Sequence, residues 1–417
     1  MTPQRVFLIL GAVFGLLFTF LTPAFRVPDE VTHFWRPVSM AYGTLVPTMT
    51  AKGGEAPVPM GYRTLVWIAI RGDGPNGKVN RDDMRIIPRV NLEPEQTATV
   101  SFVASYTPVP YAPQLAAALL GRAFALRPPH VFYLGRLFNL AAFLAIVAFA
   151  IRTTPAVPWG FCTIGLFPMS LYLAASWSPD TMTVACALAV TAVALRGARA
   201  AKPLTGNRSE PVFAFLLGLC KPGYSHLAFL ALPKKRWVGM IAAVVGTALS
   251  LWWLSRSPIG TGAQWPCIQA DPLRALGVLT SDLTGNAFLY FEEAVGRLGM
   301  LDVFLPPFVI WAELALLVLI ALTASDRVAW GERVMALLIF ISAALFIMLS
   351  MYMAWTKPCA TNVEGIQGRY FLPILVLPLV ALANPAWKWR KVGWPLVMLV
   401  AITANVLAAI AIRLRYF

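Results

Sequence analysis

Long apolar runs separated by short polar segments dominate the pattern along this chain. A run of roughly 20 apolar residues is long enough to cross a hydrocarbon core of about 30 Å as an α-helix. The pattern predicts spans at about 5–25, 131–151, 157–175, 181–196, 237–254, 303–323, 334–354, 370–386 and 393–412. The first run continues into Pro28, Asp29 and Glu30 without a clear cleavage site, which favours a retained signal anchor.

One further apolar run, at about 211–232, is interrupted near its middle by Lys221, Pro222 and Gly223. Proline breaks a helix, and non-helical backbone at membrane depth is tolerated where it is buried in protein. Basic clusters flank the run at both ends, so a single crossing would place one cluster on the wrong side. We therefore expect a re-entrant pair of half-helices here, in addition to about ten transmembrane helices.

The positions of the basic residues, more than their number, indicate how the chain is oriented in the membrane. The chain carries 34 Lys and Arg against 19 Asp and Glu, a formal net charge of +15, with 58% hydrophobic residues. The basic clusters at 196–208, 234–236 and 388–391 lie between apolar runs, as cytoplasmic loops do. No nucleic-acid-binding motif accompanies them, so we expect membrane lipid and not nucleic acid around these charges.

The resulting orientation leaves three long segments outside: 26–130, 255–302 and 355–368. Within the first, the stretch from Tyr106 to about residue 126 is moderately apolar and is predicted to form an interfacial helix. The strand-like stretch 64–70 precedes a GxGxxG match at 72–77, which we interpret as a hairpin turn because Pro75 interrupts it. The predicted fold is an all-α polytopic membrane protein with modules 1–255 and 256–417.

The five cysteines contain no CxxC pair, so zinc and iron–sulfur sites are not predicted. Cys162, Cys186 and Cys220 lie in apolar runs and are expected to be inert packing residues. Cys267 and Cys359 lie in the outside segments 255–302 and 355–368, where an oxidising environment favours pairing. A disulfide between them is therefore predicted, with two unpaired thiols as the alternative.

Two adjacent carboxylates, Asp29 and Glu30, follow the first span, and His33 lies one helical turn further on. Pro28 ends one helix, and Asp29 is suited to cap the next, where the helix dipole favours an ionised carboxylate. Such a carboxylate at a membrane surface can act as a general base. A plain helix cap explains the same pattern, so the residues alone leave both roles open.

Asp180 repeats this arrangement at the outer end of a later span, after the turn 176–179. Helix capping again explains much of the pattern. However, two acidic helix starts on one side of the membrane can converge on one pocket, and ionisable groups at this depth tend to be functional. Asp29, Glu30 and Asp180 are therefore the candidate catalytic residues.

Three cationic side chains lie in or beside apolar runs: Arg369, Lys221 and Arg136. Arg369 precedes Tyr370 at the mouth of a span, where a guanidinium can pair bidentately with the phosphate of a lipid. A snorkelling arginine in a tyrosine belt is the alternative. Lys221 and Arg136 require an anionic partner or a wet cavity. The candidate residues for binding the donor phosphate are therefore Arg369, Lys221, Arg136 and Tyr370.

Together these motifs resemble an uncharacterised family of bacterial polytopic membrane proteins that is grouped with the GT-C glycosyltransferases. The resemblance rests on the order of short strings along nearly the whole chain. These are Pro28 to Phe34, Tyr106 to Tyr111, Arg136 to Asn139, Ser176 to Asp180, Lys221 to Tyr224, Leu298 to Asp302 and Gln367 to Phe371. The chain is also distantly similar to protein O-mannosyltransferases and to the aminoarabinose transferases of lipid A.

The resemblance implies an inverting transferase in the bacterial cytoplasmic (inner) membrane, with its active site facing the periplasm. Such an enzyme takes a sugar from a polyprenyl-phosphate donor, and we expect a surface glycan or glycolipid acceptor. No cofactor is required, and a divalent metal is allowed. Asp29 would be the base, with Glu30 as the open alternative, while His33, Tyr106 and Tyr111 would orient the acceptor.

Two other classes of protein compete with this interpretation. A lipid-linked oligosaccharide flippase or other transporter would also need many spans and intramembrane cations, but transporters commonly show internal repeats, and the sequence shows none. A non-catalytic scaffold of a polysaccharide-assembly complex would leave Lys221 and Arg136 without a reason. The transferase is therefore the leading prediction.

Overall fold

The structure is a computed structural model that describes residues 1–50, 53–71, 77–199, 209–234, 237–256, 264–324, 328–383 and 393–417. The α-helices of the first half are α1 (Pro3–Leu21), α2 (Glu30–Ala41), α3 (Met60–Ile70), α4 (Arg81–Ile86), α5 (Ala112–Ala123), α6 (Pro128–Thr153), α7 (Pro158–Leu166), α8 (Pro168–Ala174) and α9 (Asp180–Arg199). Those of the second half are α10 (Ser209–Cys220), α11 (Trp237–Leu254), α12 (Trp265–Ala270), α13 (Pro272–Gly285), α14 (Ala287–Gly296), α15 (Pro307–Leu322), α16 (Trp330–Ala354), α17 (Val376–Leu382) and α18 (Trp394–Tyr416).

Short 3-10 helices and strands complete the described elements. The 3-10 helices are Ile87–Arg89, Val109–Tyr111, Pro222–Lys234 and Gly368–Ile374. The strands are β1 (Thr48–Thr50), β2 (Gly53–Pro59), β3 (Thr97–Phe102), β4 (Arg297–Leu298) and β5 (Val303–Phe304). Strands β1, β2 and β3 form one antiparallel sheet in that order, and β4 pairs with β5.

Five helices of the described ranges are long and apolar enough to cross a membrane: α1, α6, α11, α16 and α18. The predicted span at 181–196 lies within the 20-residue helix α9, and the span at 303–323 corresponds to the 16-residue helix α15. The predicted span at 157–175 is divided into α7 and α8 at Pro168, because proline cannot donate to the helical ladder. The span at 370–386 begins as a 3-10 helix and continues as α17. The count of about ten spans stays a prediction.

The interrupted run at 211–232 reverses the direction of the chain. Helix α10 ends at Cys220, and the 3-10 helix begins at Pro222, so the break lies where the sequence predicted it. Glu210 lies beside Gly239 at the starts of α10 and α11, and Gly218, near the end of α10, lies beside Gly246 in the middle of α11. The two helices therefore run in the same direction, and the segment 222–234 must return between them.

The segment between α1 and α6 corrects the all-α prediction, because it contains the sheet β1–β3. In β3, the side chains of Ala98, Val100 and Phe102 are buried while their neighbours are exposed. This alternation with a period of two is the strand signal that the sequence reading passed over. The strand expected at 64–70 is also wrong: these residues belong to α3, whose buried positions follow a helical period. The hairpin turn predicted next to it falls largely on 72–76, outside the described residues.

Helix α9 lies at the centre of the larger apolar core, and almost all of its described side chains are inaccessible to solvent. A second apolar core lies beneath the sheet and joins α2, α3, α5 and the start of α6. Trp177 belongs to this second core and precedes α9 by only three residues. The two cores therefore meet at the N-terminus of α9, and Asp180 is fixed at that meeting point.

Candidate functional site

Four charged side chains from distant parts of the chain meet at the N-terminus of α9. Arg369 Nη2 lies 2.7 Å from Asp29 Oδ2, and Arg369 Nε lies 3.4 Å from Asp180 Oδ2. Lys221 Nζ lies 2.5 Å from Asp180 Oδ1. Three of the four residues come from the predicted module 1–255, and Arg369 comes from the module 256–417. We call Asp29, Asp180, Lys221 and Arg369 the ion-pair cluster.

The members of the ion-pair cluster differ sharply in exposure. The side chains of Arg369, Asp180 and Lys221 are 3%, 10% and 16% exposed, whereas that of Asp29 is 50% exposed. Two carboxylates face two cations, so the cluster is neutral as a whole. Asp29 is its accessible member, and a molecule that approaches the cluster from outside therefore meets the Asp29 carboxylate first.

The backbone of Asp29 turns its side chain away from the helix that follows. Asp29 has left-handed torsion angles, φ 61° and ψ 9°, and its carboxylate makes no capping hydrogen bond to α2. Asp29 does occupy the N-cap position of α2, and its backbone carbonyl accepts from the His33 N–H at 3.0 Å. The prediction that its side chain caps the helix is wrong. Aspartate tolerates this conformation better than most residues. The result is a carboxylate directed at Arg369.

Aromatic rings surround the cations of the ion-pair cluster. Lys221 Nζ lies 5.5 Å from the ring centroid of Tyr106 and 5.0 Å from that of Tyr370. The Arg369 guanidinium lies 5.5 Å from the centroid of the same Tyr370 ring. Aromatic faces attract cations without neutralising them. The two tyrosines predicted from sequence therefore adjoin the site as walls that hold the cations in place.

His33 and Tyr111 form a neutral pair beside the ion-pair cluster. His33 Nδ1 and the Tyr111 hydroxyl are 2.9 Å apart, and which of them donates depends on the histidine tautomer. Burial lowers the pKa of His33 to about 4, against the opposing effect of the Asp29 and Asp180 carboxylates. Burial also raises the pKa of the Tyr111 hydroxyl well above its usual value. At neutral pH the histidine is therefore uncharged.

Glu30 and Arg136 lie apart from the ion-pair cluster, which corrects two of the predicted roles. Their side chains are fully buried, and Arg136 Nε and Nη2 donate to the two Glu30 oxygens at 3.0 and 2.7 Å. Arg136 also donates to the carbonyl oxygens of Thr19, Thr22 and Pro23 at the end of α1. With its donors directed at these acceptors, Arg136 presents none to a donor phosphate, and Glu30 is inaccessible as a base.

The turn before Asp180 is held by a buried asparagine that the sequence reading did not assign a role. Asn139 Nδ2 lies 2.8 Å from the carbonyl oxygen of Ser176 and 3.0 Å from the hydroxyl of Thr181. Glu30 Oε1 accepts from the backbone N–H of Trp177 at 3.2 Å. An amide within an apolar helix, one turn after Arg136, was the available signal. The buried contacts of Glu30, Arg136 and Asn139 thus fix the segment that carries Asp29 and the turn that precedes Asp180.

Glu293 fixes the backbone next to Arg369 and was also missed. Its Oε2 accepts from the Gly368 N–H at 2.7 Å, and its Oε1 accepts from Arg297 Nη1 at 2.9 Å. Gly368 lies so close to the carbonyl of Tyr290 that a Cβ atom would not fit there. The two carboxylates Glu292 and Glu293 in the otherwise apolar α14 were the signal in the sequence. Through Gly368, Glu293 sets the place of the Arg369 side chain.

An apolar cavity of about 270 Å³ adjoins the cationic side of the ion-pair cluster. Lys221, Tyr106 and Tyr370 form its polar end. Its remaining walls come from α11, α16 and the start of the 3-10 helix Pro222–Lys234, with Leu251, Leu254, Phe346, Ile347 and Met351 among them. Because α11 and α16 are both membrane-crossing candidates, the cavity lies between apolar helices and ends at the Lys221 cation.

Cys267 and Cys359 are joined in a disulfide, as the sequence predicted. Their Cα atoms are 5.5 Å apart, and the bond closes a separation of 92 residues. Gln264 strengthens the connection, since its Nε2 donates to the Thr356 carbonyl at 2.9 Å and its Oε1 accepts from the Cys359 N–H at 3.0 Å. The bridge ties the start of α12 to the segment that leads to Arg369.

A divalent metal was allowed by the sequence but not required. Within the ranges that the structure describes, no group of three or more His, Cys, Asp or Glu side chains is arranged to hold a metal ion. The acidic residues of the ion-pair cluster are instead engaged by Arg369 and Lys221.

Several apolar helices around a buried ion-pair cluster define a multi-pass membrane protein. The chain belongs to the family described as "Predicted membrane protein (DUF2142)", which matches residues 12–378. All four members of the ion-pair cluster lie within the matched region. No curated protein and no solved structure matches the chain.

Proposed function

We propose that this protein is an inverting GT-C-type membrane glycosyltransferase. It moves a sugar from a polyprenyl-phosphate donor to a surface glycan or a lipid-linked acceptor. The observation that carries the proposal is the pairing of an accessible carboxylate, Asp29, with buried cations beside an apolar cavity.

The donor phosphate is assigned to Arg369 and Lys221. Arg369 Nε makes no hydrogen bond, because its 3.4 Å approach to Asp180 is an ion pair without hydrogen-bond geometry. A phosphate oxygen would supply the missing acceptor, and a guanidinium binds phosphate through two parallel hydrogen bonds. Lys221 would add a second positive charge from the opposite side. Tyr370 contacts both cations and would keep them together when the phosphate arrives.

The lipid tail of the donor is assigned to the 270 Å³ cavity. Its walls are apolar, and its polar end is formed by Lys221, so a phosphate there would have its hydrocarbon chain between α11 and α16. Only the first isoprene units would fit in this volume, and the rest of the chain would lie in the bilayer. Burial of apolar surface would supply affinity, while the cations fix the position of the phosphate.

The transfer step uses Asp29 as the general base. The acceptor hydroxyl attacks the anomeric carbon of the sugar, Asp29 takes the hydroxyl proton, and the bond from that carbon to the phosphate oxygen breaks. The lipid phosphate leaves with the electron pair of that bond, and Arg369 and Lys221 stabilise its negative charge. When the phosphate takes over Arg369, the Asp29 carboxylate loses its ion-pair partner and is free to accept the hydroxyl proton. His33, neutral beside it, would orient the acceptor.

The proposed topology follows the charge pattern of the sequence, with about ten spans in the bacterial inner membrane. The ion-pair cluster would then face the periplasm. Contacts at the end of α18 support a common face for two outside segments, since the Val79 N–H donates to the Tyr416 carbonyl at 2.9 Å and Arg415 Nη2 lies 2.6 Å from Asp302 Oδ2. A glycan acceptor would approach Asp29 from this side.

Binding of undecaprenyl phosphate tests the proposal most directly. The purified protein in nanodiscs should retain this lipid, and Arg369→Ala and Lys221→Ala should each reduce retention, as measured by native mass spectrometry. The matched control is Arg333→Ala, since Arg333 donates to the Ala381 carbonyl away from the cluster. Equal retention by all three variants would remove the phosphate from the ion-pair cluster. Transfer of the lipid-linked sugar across the bilayer without cleavage of the donor would favour the transporter.

A further inference from the structure

Arg36 is fully buried on α2, and its charge has no carboxylate partner among the described residues. Its Nη2 donates to the Leu45 carbonyl at 2.9 Å, whereas Nε and Nη1 have no acceptor within the ranges that the structure describes. Arg136 and Arg369 are also buried, but each of them pairs with a carboxylate. Burial lowers the pKa of Arg36 to about 10, so the guanidinium is still charged at neutral pH. An unpaired buried charge is costly, and an anionic ligand would remove that cost.

Two aromatic rings hold the Arg36 guanidinium in place. It lies 5.4 Å from the ring centroid of Trp253 and 5.7 Å from that of Phe102. Trp253 is fixed in turn, since its Nε1 donates to the Ala104 carbonyl at 3.0 Å. Aromatic faces attract a cation but supply no acceptors to its N–H groups in the ring plane. The guanidinium is therefore positioned, and two of its nitrogens remain able to donate to an anion.

Arg36 lies directly beneath a surface segment that joins α2 to β1. Leu45, whose carbonyl accepts from Arg36, and its neighbour Val46 are both more than half exposed. Val46, Trp253 and the exposed Arg256 help to line a cavity of about 20 Å³, and none of the described residues that line it is acidic. A cavity of this size has room for about one water molecule, so the segment 45–47 must shift to admit a larger group. Such a group would reach Arg36 past a second cation.

Arg36 shares one face of α2 with two residues of the proposed transfer site. Asp29, His33 and Arg36 are spaced by four and then three residues, which places them on the same side of the helix. At about 1.5 Å per residue, Asp29 and Arg36 are about 10 Å apart along the helix axis. The Tyr111 hydroxyl, 2.9 Å from His33 Nδ1, is near enough to Arg36 for the two to interact electrostatically. His33 and Tyr111 therefore connect the base to the unpaired cation.

We propose that the acceptor is an acidic glycan and that Arg36 is the residue that selects it. Arg36 binds a carboxylate or a phosphodiester of the glycan, while a hydroxyl elsewhere on the same molecule lies at Asp29. This inference rests on the proposed transferase function and adds the class of its acceptor. Both anionic groups present oxygens that form charge-assisted hydrogen bonds with a guanidinium. An anionic lipid headgroup would also pair with Arg36, but it would leave the alignment of Arg36 with Asp29 and His33 without a reason.

Binding of matched oligosaccharides to the full-length protein in nanodiscs tests this inference. The probes are a tetrasaccharide that contains glucuronate, the same tetrasaccharide with its carboxylates reduced to alcohols, and a tetrasaccharide that carries a glycerol phosphodiester. Isothermal titration calorimetry gives the Kd of each. We expect at least one acidic probe to bind about tenfold more tightly than the reduced one, and Arg36→Gln to abolish the difference, because a hydrogen bond to a charged group contributes on that order. The tighter of the two acidic probes distinguishes a carboxylate from a phosphodiester.

Arg122→Gln is the matched control for Arg36→Gln. Arg122 donates to the Ala41 carbonyl at 2.6 Å and lies 5.5 Å from the Tyr42 ring centroid, so its contacts resemble those of Arg36, but it is exposed. This variant should keep the preference for the acidic probe. The melting temperature of Arg36→Gln should not fall, since the glutamine amide can donate to the Leu45 carbonyl and an unpaired buried charge is removed. A lower melting temperature with an unchanged preference would make Arg36 a structural residue and would overturn the proposal.

Other outcomes also decide against an acidic acceptor. Equal binding of acidic and reduced probes, or no binding of either acidic probe, would overturn the inference. Loss of retained phosphatidylglycerol in Arg36→Gln, with unchanged binding of the oligosaccharides, would assign Arg36 to a lipid headgroup and would overturn it as well. These assays contain no donor, so their failure leaves the transferase proposal standing, whereas retention of undecaprenyl phosphate by Arg369→Ala counts against that proposal alone.

Discussion

The Asp29 carboxylate and the Arg369 guanidinium are 2.7 Å apart although 340 residues separate them in the sequence. Asp29 is half-exposed and Arg369 is almost fully buried, so the pair joins an accessible base to a buried cation. The pair exists because Asp29 adopts a left-handed backbone conformation and because Glu293 holds Gly368 in place.

Asp29→Asn should reduce transfer at least about hundredfold, because the amide retains the backbone conformation but cannot accept a proton. The melting temperature should hardly change, since Asp29 is half-exposed and makes no helix cap. The measurement is transfer from a polyprenyl-phosphate sugar by protein in nanodiscs. Asp82→Asn, at an exposed carboxylate of the same outside segment, is the matched control. Activity within about tenfold of the unaltered protein, roughly 1.4 kcal/mol, would remove Asp29 from the role of base.

Arg369→Ala should weaken the use of the donor much more than the use of the acceptor. The lost guanidinium leaves the lipid phosphate with Lys221 alone, and removal of such a preorganised donor typically costs about 10²–10³ in kcat. Arg369→Lys should recover only part of this, because an ammonium lacks the bidentate fork. The dependence of the rate on donor concentration gives KM and kcat for each variant. Unchanged donor kinetics in Arg369→Ala would make Arg369 an interfacial side chain without a role in transfer.

Glu30→Gln should destabilise the protein by about 3–5 kcal/mol, because it leaves Arg136 charged and buried without its carboxylate. Arg136→Met should have a similar effect for the converse reason. The double variant should be more stable than the sum of the two losses predicts, since the pair is removed together. Thermal unfolding in detergent, followed by circular dichroism, measures all three. Near-normal stability together with lost activity in Glu30→Gln would instead favour Glu30 as the base.

The stability of the protein should fall as the pH falls from about 6.5 to about 4, in part because of His33. An unfolded histidine takes up its proton near pH 6.5, whereas burial lowers the pKa of His33 in the folded protein to about 4. Between these values the unfolded state binds more protons, so acid favours unfolding; above pH 6.5 His33 contributes no pH dependence. His33→Gln should flatten this part of the stability curve. An unchanged curve would show that His33 is solvated or already protonated.

Reduction of the Cys267–Cys359 disulfide should lower the melting temperature. The bond closes a separation of 92 residues, and in the chain-entropy model a loop of this size contributes up to about 4.6 kcal/mol. The double variant Cys267→Ser/Cys359→Ser should melt at the lower temperature with or without reductant. Cys162→Ser, at a buried free cysteine, should keep its response to reductant. Identical melting of the reduced and oxidised protein would contradict the stabilising role.

The residue types of the ion-pair cluster could be predicted from the sequence, but their contacts could not. The chemistry of Asp29, Asp180, Lys221 and Arg369 was visible because ionisable groups stand out in apolar surroundings. The same criterion selected Arg136, which the structure places in a buried pair with Glu30 away from the cluster. In the sequence, Arg136, whose donors are taken up by Glu30 and backbone carbonyls, looks the same as Arg369, whose Nε makes no hydrogen bond. Their difference depends on which acceptors the fold brings within 3 Å.

The sequence by itself determined that this is a multi-pass membrane protein, where the run at 211–232 breaks and which two cysteines pair. These properties depend on local hydropathy, on proline and on compartment, all of which are written along the chain. Tertiary structure alone decided that Arg369 meets Asp29, that Glu30 is inaccessible and that β1–β3 form a sheet. Each of these depends on contacts between residues far apart in sequence, because side-chain pairing and burial are properties of packed neighbours and not of composition.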